Sequence, residues 1–459
     1  MTSGSSGLDY CELAVERGLI RGASAVEAYF TESRNLETMI EKNDIHVPKG
    51  DTYSGIGLRV LVEAPGGAGF KQGFASTNLL SSSSVDSTLT AAMAIAAASP
   101  ADPHLCLAQP EPTSAGAAGA VDGLYDEAIA GMGLGDALKH AAAFLDGALG
   151  YDRRITVDAA SFRVQSSQVY IANSEGLRLG QRKTVAIAQA MVFAVDGDKV
   201  SSFDVGVAGS CALARVNSFE IGRELAKRVI ASLDTRPTSS FRGKIILTPY
   251  AASEIVLAPI AYSANAEMVQ SGRSKWKGML GRQVMSPLIS VVDDPAIPEG
   301  VGSTLFDREG VIPEKLDLVR DGVLQDYMYN CRTARVDGRK SNGRASGSDS
   351  GLPGVEPTNM IIAPGEHSLE ELIGACDRGL IVNRFSGSVD PASGDFSGSV
   401  KGGYYIENGK IMHAVTEVMI AGNIYELLSQ VVGVSDELWV LANERLPHVM
   451  LDGCSITGR

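Results

Sequence analysis

A chain of 459 residues, 44% hydrophobic and 20% charged, has room for two or three domains, since single cores stop growing at about 250 to 300 residues; its composition is globular, neither disordered nor fibrous. Its 54 acidic against 40 basic side chains leave a formal charge of −14, which argues against a general nucleic-acid or anionic-membrane binder, because both need basic patches. The six cysteines (Cys11, Cys106, Cys211, Cys331, Cys376, Cys454) are widely spaced with no CxxC, so neither a zinc ribbon nor a compact disulfide framework is written, and free thiols in a reducing compartment are expected.

The first residues, Met1 to Leu8, are rich in Gly and Ser and lack a basic start and an apolar core segment, so no secretory signal is read there. The apolar stretch Ala91 to Ala98 is far short of the roughly 20 residues a bilayer span needs. A cytoplasmic location without membrane attachment is the expectation.

In chain order, Tyr10 to Arg17 reads as helix, Ala25 to Glu32 and Leu36 to Ile45 as strands, and a small mixed sheet is expected from them. Gly57 to Glu63 and Gly69 to Ser76 flank Pro65-Gly66-Gly67 as a hairpin. A helix follows from near Ser84 to Ser99-Pro100, with Val85, Leu89, Ala92, Met93 and Ala96 on one face. Residues 100–119 are aperiodic and rich in Ala, Pro, Gly and Ser, which marks a connection. A helix over Leu134 to Leu149 precedes strands at Val164 to Asn173, Leu177 to Val195 and Val200 to Ala208. Asn217 and Glu220 then suggest a capping box for a helix carrying Ile221, Leu225 and Val229.

After the polar boundary Thr235 to Gly243, a strand at Lys244 to Leu247 leads into one helix over Ala251 to Gln270. The remainder is largely β, with hairpin signals at Asp321-Gly322 and Asn408-Gly409 and short helices at Leu369 to Cys376 and Ile424 to Val432. The segment Arg335 to Pro357 is long for a structureless loop, which marks it as functional or mobile. The fold expected is α+β, with a mixed α/β N-terminal half and a β-rich C-terminal half. Its divisions are residues 1–100 and 101–238 in the first half and 239–459 in the second.

Three blocks of residues resemble the TldD/PmbA family, and the similarity covers nearly the whole chain. The first is Gly22-Ala23-Ser24-Ala25 with Tyr29, Ser33 and Arg34, then Gly57-Leu58-Arg59-Val60 and Gly73-Phe74-Ala75-Ser76-Thr77. The second is Gly302-Ser303, Phe306-Asp307 and Glu309-Gly310-Val311, running into Asp321-Gly322-Val323-Leu324. The third is Ser393-Gly394-Asp395-Phe396-Ser397, then Ile406-Glu407-Asn408-Gly409-Lys410-Ile411, then Ile420-Ala421-Gly422-Asn423.

The resemblance implies a helix that in TldD-type members bears HExxxH, two zinc-binding histidines and a glutamate base. On that pattern the motif falls at Ala258-Pro259-Ile260-Ala261-Tyr262-Ser263, where no ligand survives. None of the six histidines (His46, His104, His140, His367, His413, His448) lies within five residues of another, so no substitute pair exists. The chain is therefore identified as a PmbA/TldE-type member with no catalytic residue and no metal of its own. What that implies is a catalytically silent metallopeptidase subunit, paired with a TldD-like subunit that bears the zinc or with a second copy of itself, acting on peptides in proteolysis or peptide maturation. A metal-independent enzyme, or a homodimeric tailoring protein for a peptide-like metabolite, is the alternative. The family's older label, modulator of DNA gyrase, suggests a regulator, but no basic stripe supports contact with nucleic acid.

Gly394, Asp395, Phe396, Ser397 and Asn423 are the candidates for a peptide or partner groove. Small residues admit another backbone, and Asp395 could hold an amide; a turn capped by Asp395 explains the same segment equally well. Cys454 reads as a structural thiol. Arg339, Lys340 and Arg344, and Lys275 and Lys277 beside Trp276, read as basic surface loops and candidate interfaces. GSDSG at 347–351 and GSVKG at 398–402 both miss the GxSxG pattern, so a serine hydrolase has no support.

Overall fold

From Ala25 to Glu41 no Gly or Pro interrupts the alternation of apolar and polar side chains, and the two strands expected there are one continuous strand of 17 residues. This is seen in a computed structural model that describes residues 6–110 and 121–459. The expected connection at 100–119 therefore lies partly outside the described residues, as does most of the Gly- and Ser-rich start.

The strand Ala25–Glu41 pairs on one side with Lys49–Glu63 and on the other with Ile155–Asn173, which in turn pairs with Arg178–Asp196. Nine strands join in this sheet among the described residues, and every pairing within it is antiparallel. The mixed sheet expected from sequence is thus corrected. Strand composition carries no direction, and where helices intervene between strands only the packing sets it. Helices Gly7–Ile20 and Ser82–Ala98 cover one end of one face, and Leu134–Leu149 and Ser218–Ala231 cover the other. Asn217 caps the last of these through Glu220 N–H at 3.3 Å, while the reciprocal bond of a capping box is not formed.

The C-terminal half is built on a ten-stranded sheet and a six-stranded sheet that share the largest apolar core. Asp321-Gly322 and Asn408-Gly409 form the two expected hairpins, each with both turn residues at positive φ, between 48° and 75°. The edge of the ten-stranded sheet nearest the candidate residues is Arg384–Val389, paired only to Asp395–Lys401.

The halves meet through buried charge. Arg59 donates to Glu27 at 2.9 Å and to Glu309 at 3.0 Å, and Arg308 donates to the other oxygen of Glu27 at 3.1 Å. Glu27 and Arg59 sit on the first sheet; Arg308 and Glu309 come from the C-terminal half. The segment 335–357 is anchored against this junction rather than free. Arg344 is fully buried against Asp293, and Asp349 accepts from Tyr53 at 2.5 Å. Arg344 is therefore no part of a solvated basic loop, because its charge is consumed inside.

Candidate functional site

The helix expected over Ala251 to Gln270 is broken twice, and both breaks follow from single residues. Pro259 has no N–H for the carbonyl of Ile255, and its ring crowds that carbonyl. The chain takes a π-helical turn at Ser253–Leu257 just before it, with Ala258 N–H reaching back to Ser253. The helix then runs Ala258–Ala264 and stops at Asn265, whose extended backbone and side-chain cap start a second short helix, Ala266–Gln270.

Of the residues at the degenerate motif, Ala258 is exposed, whereas Pro259 and Ser263 are buried. The Ser263 hydroxyl lies 2.6 Å from the phenolic oxygen of Tyr425, which also contacts the carbonyls of Pro391 and Pro259. A phenol has one proton. We assign it to Pro391, the nearer carbonyl, with Ser263 donating to the Tyr425 oxygen. Burial raises the phenol's pKa and keeps it neutral.

Tyr425 is the residue sequence reading missed, and it joins the separate candidates. Its ring sits where a side chain on Gly394 would project, since a Cβ there would come within 2.4 Å of Cδ2, and Gly394 has φ +87°. Two independent reasons thus demand glycine. Asn423 fixes the backbone that carries the ring. Its Nδ2 donates to Ser393 O at 2.9 Å and to Asp395 at 2.8 Å, while its Oδ1 accepts from Tyr425 N–H at 3.1 Å and Glu426 N–H at 3.4 Å. Phe396 points into the core in edge-to-face contact with Phe385. Ser397 is exposed and paired across the ladder to Ser388 and Ala421. Gly394, Asp395 and Asn423 therefore meet Pro259 and Ser263 in one corner, whereas Phe396 serves packing. A glycine at a sharp turn followed by an Asn-Ile-Tyr helix start was the available signal for Tyr425.

Zinc in proteins takes imidazole, thiolate or carboxylate. The 258–263 turn offers a methyl, a ring without N–H and a hydroxyl already engaged by Tyr425, so these residues do not fit the ion. The one carboxylate between Pro249 and Ala264 is Glu254, on the π turn, held above the usual range by burial with Arg384 acting against it. Cys454 is wholly buried on the strand Val449–Thr457, its thiol pushed up to about 12 by burial and pointed at Ala421 O. Trp276 is also buried, which corrects its reading as an aromatic on a surface loop; Lys275 and Lys277 remain exposed on either side.

The face of the first sheet opposite its helices holds two adjoining clefts. A cleft of about 430 Å³ is lined by Asn35, Lys49, Asp51 and Gln165, and one of about 590 Å³ by Met39, Met191, Val207 and Tyr250; Glu37 and Arg163 belong to both. Among the described residues no helix is long and apolar enough to cross a membrane.

Models of the PmbA/TldA metallopeptidase match the chain in three parts: domain 1 over residues 26–96, the central domain over 128–233 and the C-terminal domain over 240–458. A metalloprotease PmbA homolog of Haemophilus influenzae is 25% identical over 449 residues, covering 97% of this chain and 94% of that protein. An uncharacterised protein of Methanocaldococcus jannaschii is 34% identical over 199 residues, or 43% of this chain. A metalloprotease of Methanothermobacter thermautotrophicus is 28% identical over 302 residues, 65% of either chain. The match thus spans 47% of the first archaeal relative and just under two thirds of the second. The crystal structure of TldE from Thermococcus kodakarensis superposes with a TM-score of 0.86 at 21% identity, over 98% of this chain and all of that one, which shows a shared fold.

Proposed function

This chain belongs to the PmbA/TldD metallopeptidase family, and from that premise we propose that it is the catalytically silent, TldE-like subunit of a two-subunit peptidase whose TldD-like partner carries the zinc. The observation that carries this reading is the corner at Pro259, Ser263 and Tyr425. Side chains without metal-binding donors stand at the motif positions, and a half-buried tyrosine takes up the hydroxyl that remains.

In this reading the subunit's own work is to shape and hold. The free edge Arg384–Val389 is extended, with Ser386, Gly387 and Ser388 exposed, so an unfolded peptide can add to it as one more strand. The corner built by Asn423, Asp395 and Tyr425 fixes the adjoining strand so that this edge stays straight. The clefts of the first sheet supply a wall, polar in one cleft and largely apolar in the other, for a chamber shared with the partner, and that wall carries both signs of charge at Glu37 and Arg163.

The test is to purify the chain, measure its zinc, and assay cleavage of an unfolded peptide by this chain alone, by a TldD-type protein alone, and by the two together with and without chelator. Zinc well below one per chain and chelator-sensitive cleavage that needs both proteins are expected. One tightly bound zinc per chain, or turnover by this chain alone, overturns the proposal.

A further inference from the structure

Cys106 and Cys331 are 225 residues apart in sequence, yet the Cys106 thiol donates to the Cys331 carbonyl oxygen at 3.6 Å. Cys106 sits on the segment that leaves the first sheet, whereas Cys331 opens the Cys331–Val336 helix of the C-terminal half. Both line one open cavity of about 610 Å³, together with Arg335, Arg339 and Lys340. Arg335 reaches across to Leu105 O at 3.3 Å, which places its guanidinium beside the Cys106 sulfur. Behind the pair, Glu309 accepts from Cys331 N–H at 2.7 Å.

The other thiols are unlike this one. Cys11, Cys211, Cys376 and Cys454 are buried, and burial raises the pKa of each. Cys106 alone is partly open to solvent. The neighbouring Cys331 thiol and Arg335 bring it down to about 7, against burial and Glu309, while Cys331 is held well above the ordinary thiol range. A low thiol beside a high one is the arrangement of an attacking and a resolving cysteine.

We propose that Cys106 and Cys331 are an oxidisable dithiol, a modification site whose reagent is hydrogen peroxide reaching the sulfur through the basic cavity. The Cys106 thiolate attacks one peroxide oxygen; the S–O bond forms, the O–O bond breaks, and the departing hydroxide takes a proton to leave as water. Sulfur is oxidised by two electrons and the peroxide reduced by two. Cys331 then attacks the sulfenic sulfur, the S–S bond forms, the S–O bond breaks, and the Cys331 proton leaves with the hydroxyl as a second water. The disulfide ties the segment around Cys106 to the C-terminal half, across the junction that Arg59, Glu27, Arg308 and Glu309 hold by charge.

The test uses the intact wild-type chain, reduced and then exposed to stoichiometric hydrogen peroxide, with peptide mapping under non-reducing conditions. A single linked pair, Cys106 with Cys331, reversed by dithiothreitol, is expected. In the reduced protein near neutral pH, iodoacetamide should modify Cys106 at least about tenfold faster than any other cysteine, because the thiolate is the reactive form. Cys331→Ser, checked for native circular dichroism, should leave a sulfenic acid on Cys106 that dimedone captures. Oxidation of Cys106 straight to sulfinic acid in the wild type, a different linked pair, or faster alkylation of another thiol would each overturn the proposal. None of these readouts depends on peptidase activity, so their failure leaves the subunit assignment untouched.

Discussion

The hydroxyl of Ser263 lies 2.6 Å from the phenolic oxygen of Tyr425, 162 residues further along the chain, and this contact ties the broken helix to the turn that ends the Met419–Asn423 strand. Ser263 is fully buried and Tyr425 half-buried, so removing the phenol strands the serine hydroxyl. Tyr425→Phe should cost about 1 to 3 kcal/mol and Ser263→Ala somewhat less, with the double variant falling short of the sum by about 0.5 kcal/mol or more. Urea unfolding of the four proteins measures this; strict additivity would show that the contact carries no coupling.

At Gly394 an added methyl meets the Tyr425 ring while the backbone stays at φ +87°. Gly394→Ala should lower stability by about 1 to 3 kcal/mol through overpacking and left-handed strain. Measured against Tyr425→Ala alone, adding Gly394→Ala should cost less, because the ring clash is gone and the strain and the 2.9 Å approach to Asn423 Oδ1 remain. A thermal melt of both variants separates the two causes; equal losses would refute the packing account.

Among the described residues Arg59 alone bridges Glu27 and Glu309, and both carboxylates are almost wholly buried. Arg59→Met leaves Glu309 buried without its guanidinium, while Glu27 keeps Arg308, and a loss of about 3 to 5 kcal/mol is expected. Replacing Arg59, Glu27, Arg308 and Glu309 together with apolar residues should recover much of it, because no buried charge is then left without its partner. Equilibrium unfolding reads both; a near-neutral single variant would mean that water reaches the cluster.

His448 is held neutral by burial, its pKa lowered to about 4, with its Nδ1 unpartnered and its ring edge-on to Trp439. Folded histidine thus binds its proton more weakly than the unfolded chain does near pH 6.5. The stabilisation from keeping it neutral is complete above pH 6.5 and is lost as pH falls towards 4, by about 3 kcal/mol at most at roughly 1.4 kcal/mol per pH unit. His448→Phe should flatten that fall, seen as the difference between variant and wild-type unfolding curves from pH 4 to 7. The difference matters because Asp307, raised to about 7 by burial and by Glu309, slopes the opposite way over almost the same window in both proteins. A wild-type and variant difference that stays constant with pH would sink this assignment.

The hairpins at Asp321-Gly322 and Asn408-Gly409 and the helix Leu134–Leu149 were legible because local chemistry decides them: two residues at positive φ in the first case, an apolar stripe in the second. The helix at 249–270 was legible as helix but not as four pieces, since the amphipathic period survives Pro259 and only the hydrogen-bond register records the break. Candidates at the site were partly legible. Gly394 and Asn423 stood out by type, and the lack of ligands at 258–263 was plain from identity alone. Tyr425 was not, because a tyrosine at the second position of a short helix looks like any other, and its partners lie 34 to 166 residues away. Arg344 misled for the same reason. Charge in a Gly- and Ser-rich segment normally means solvent, and Asp293, which buries it, is 51 residues distant.

The pairing of Ala25–Glu41 with Ile155–Asn173 sets an order of events during synthesis. Residues such as Thr38 and Phe162 are neighbours in the sheet, yet well over one hundred residues separate them along the chain. The nascent N-terminal hairpin must wait, one long edge unsatisfied, until the second hairpin has left the ribosome. Truncations ending before Asp196 should accordingly accumulate as chaperone-bound or aggregated fragments, because the first hundred residues have no closed sheet of their own.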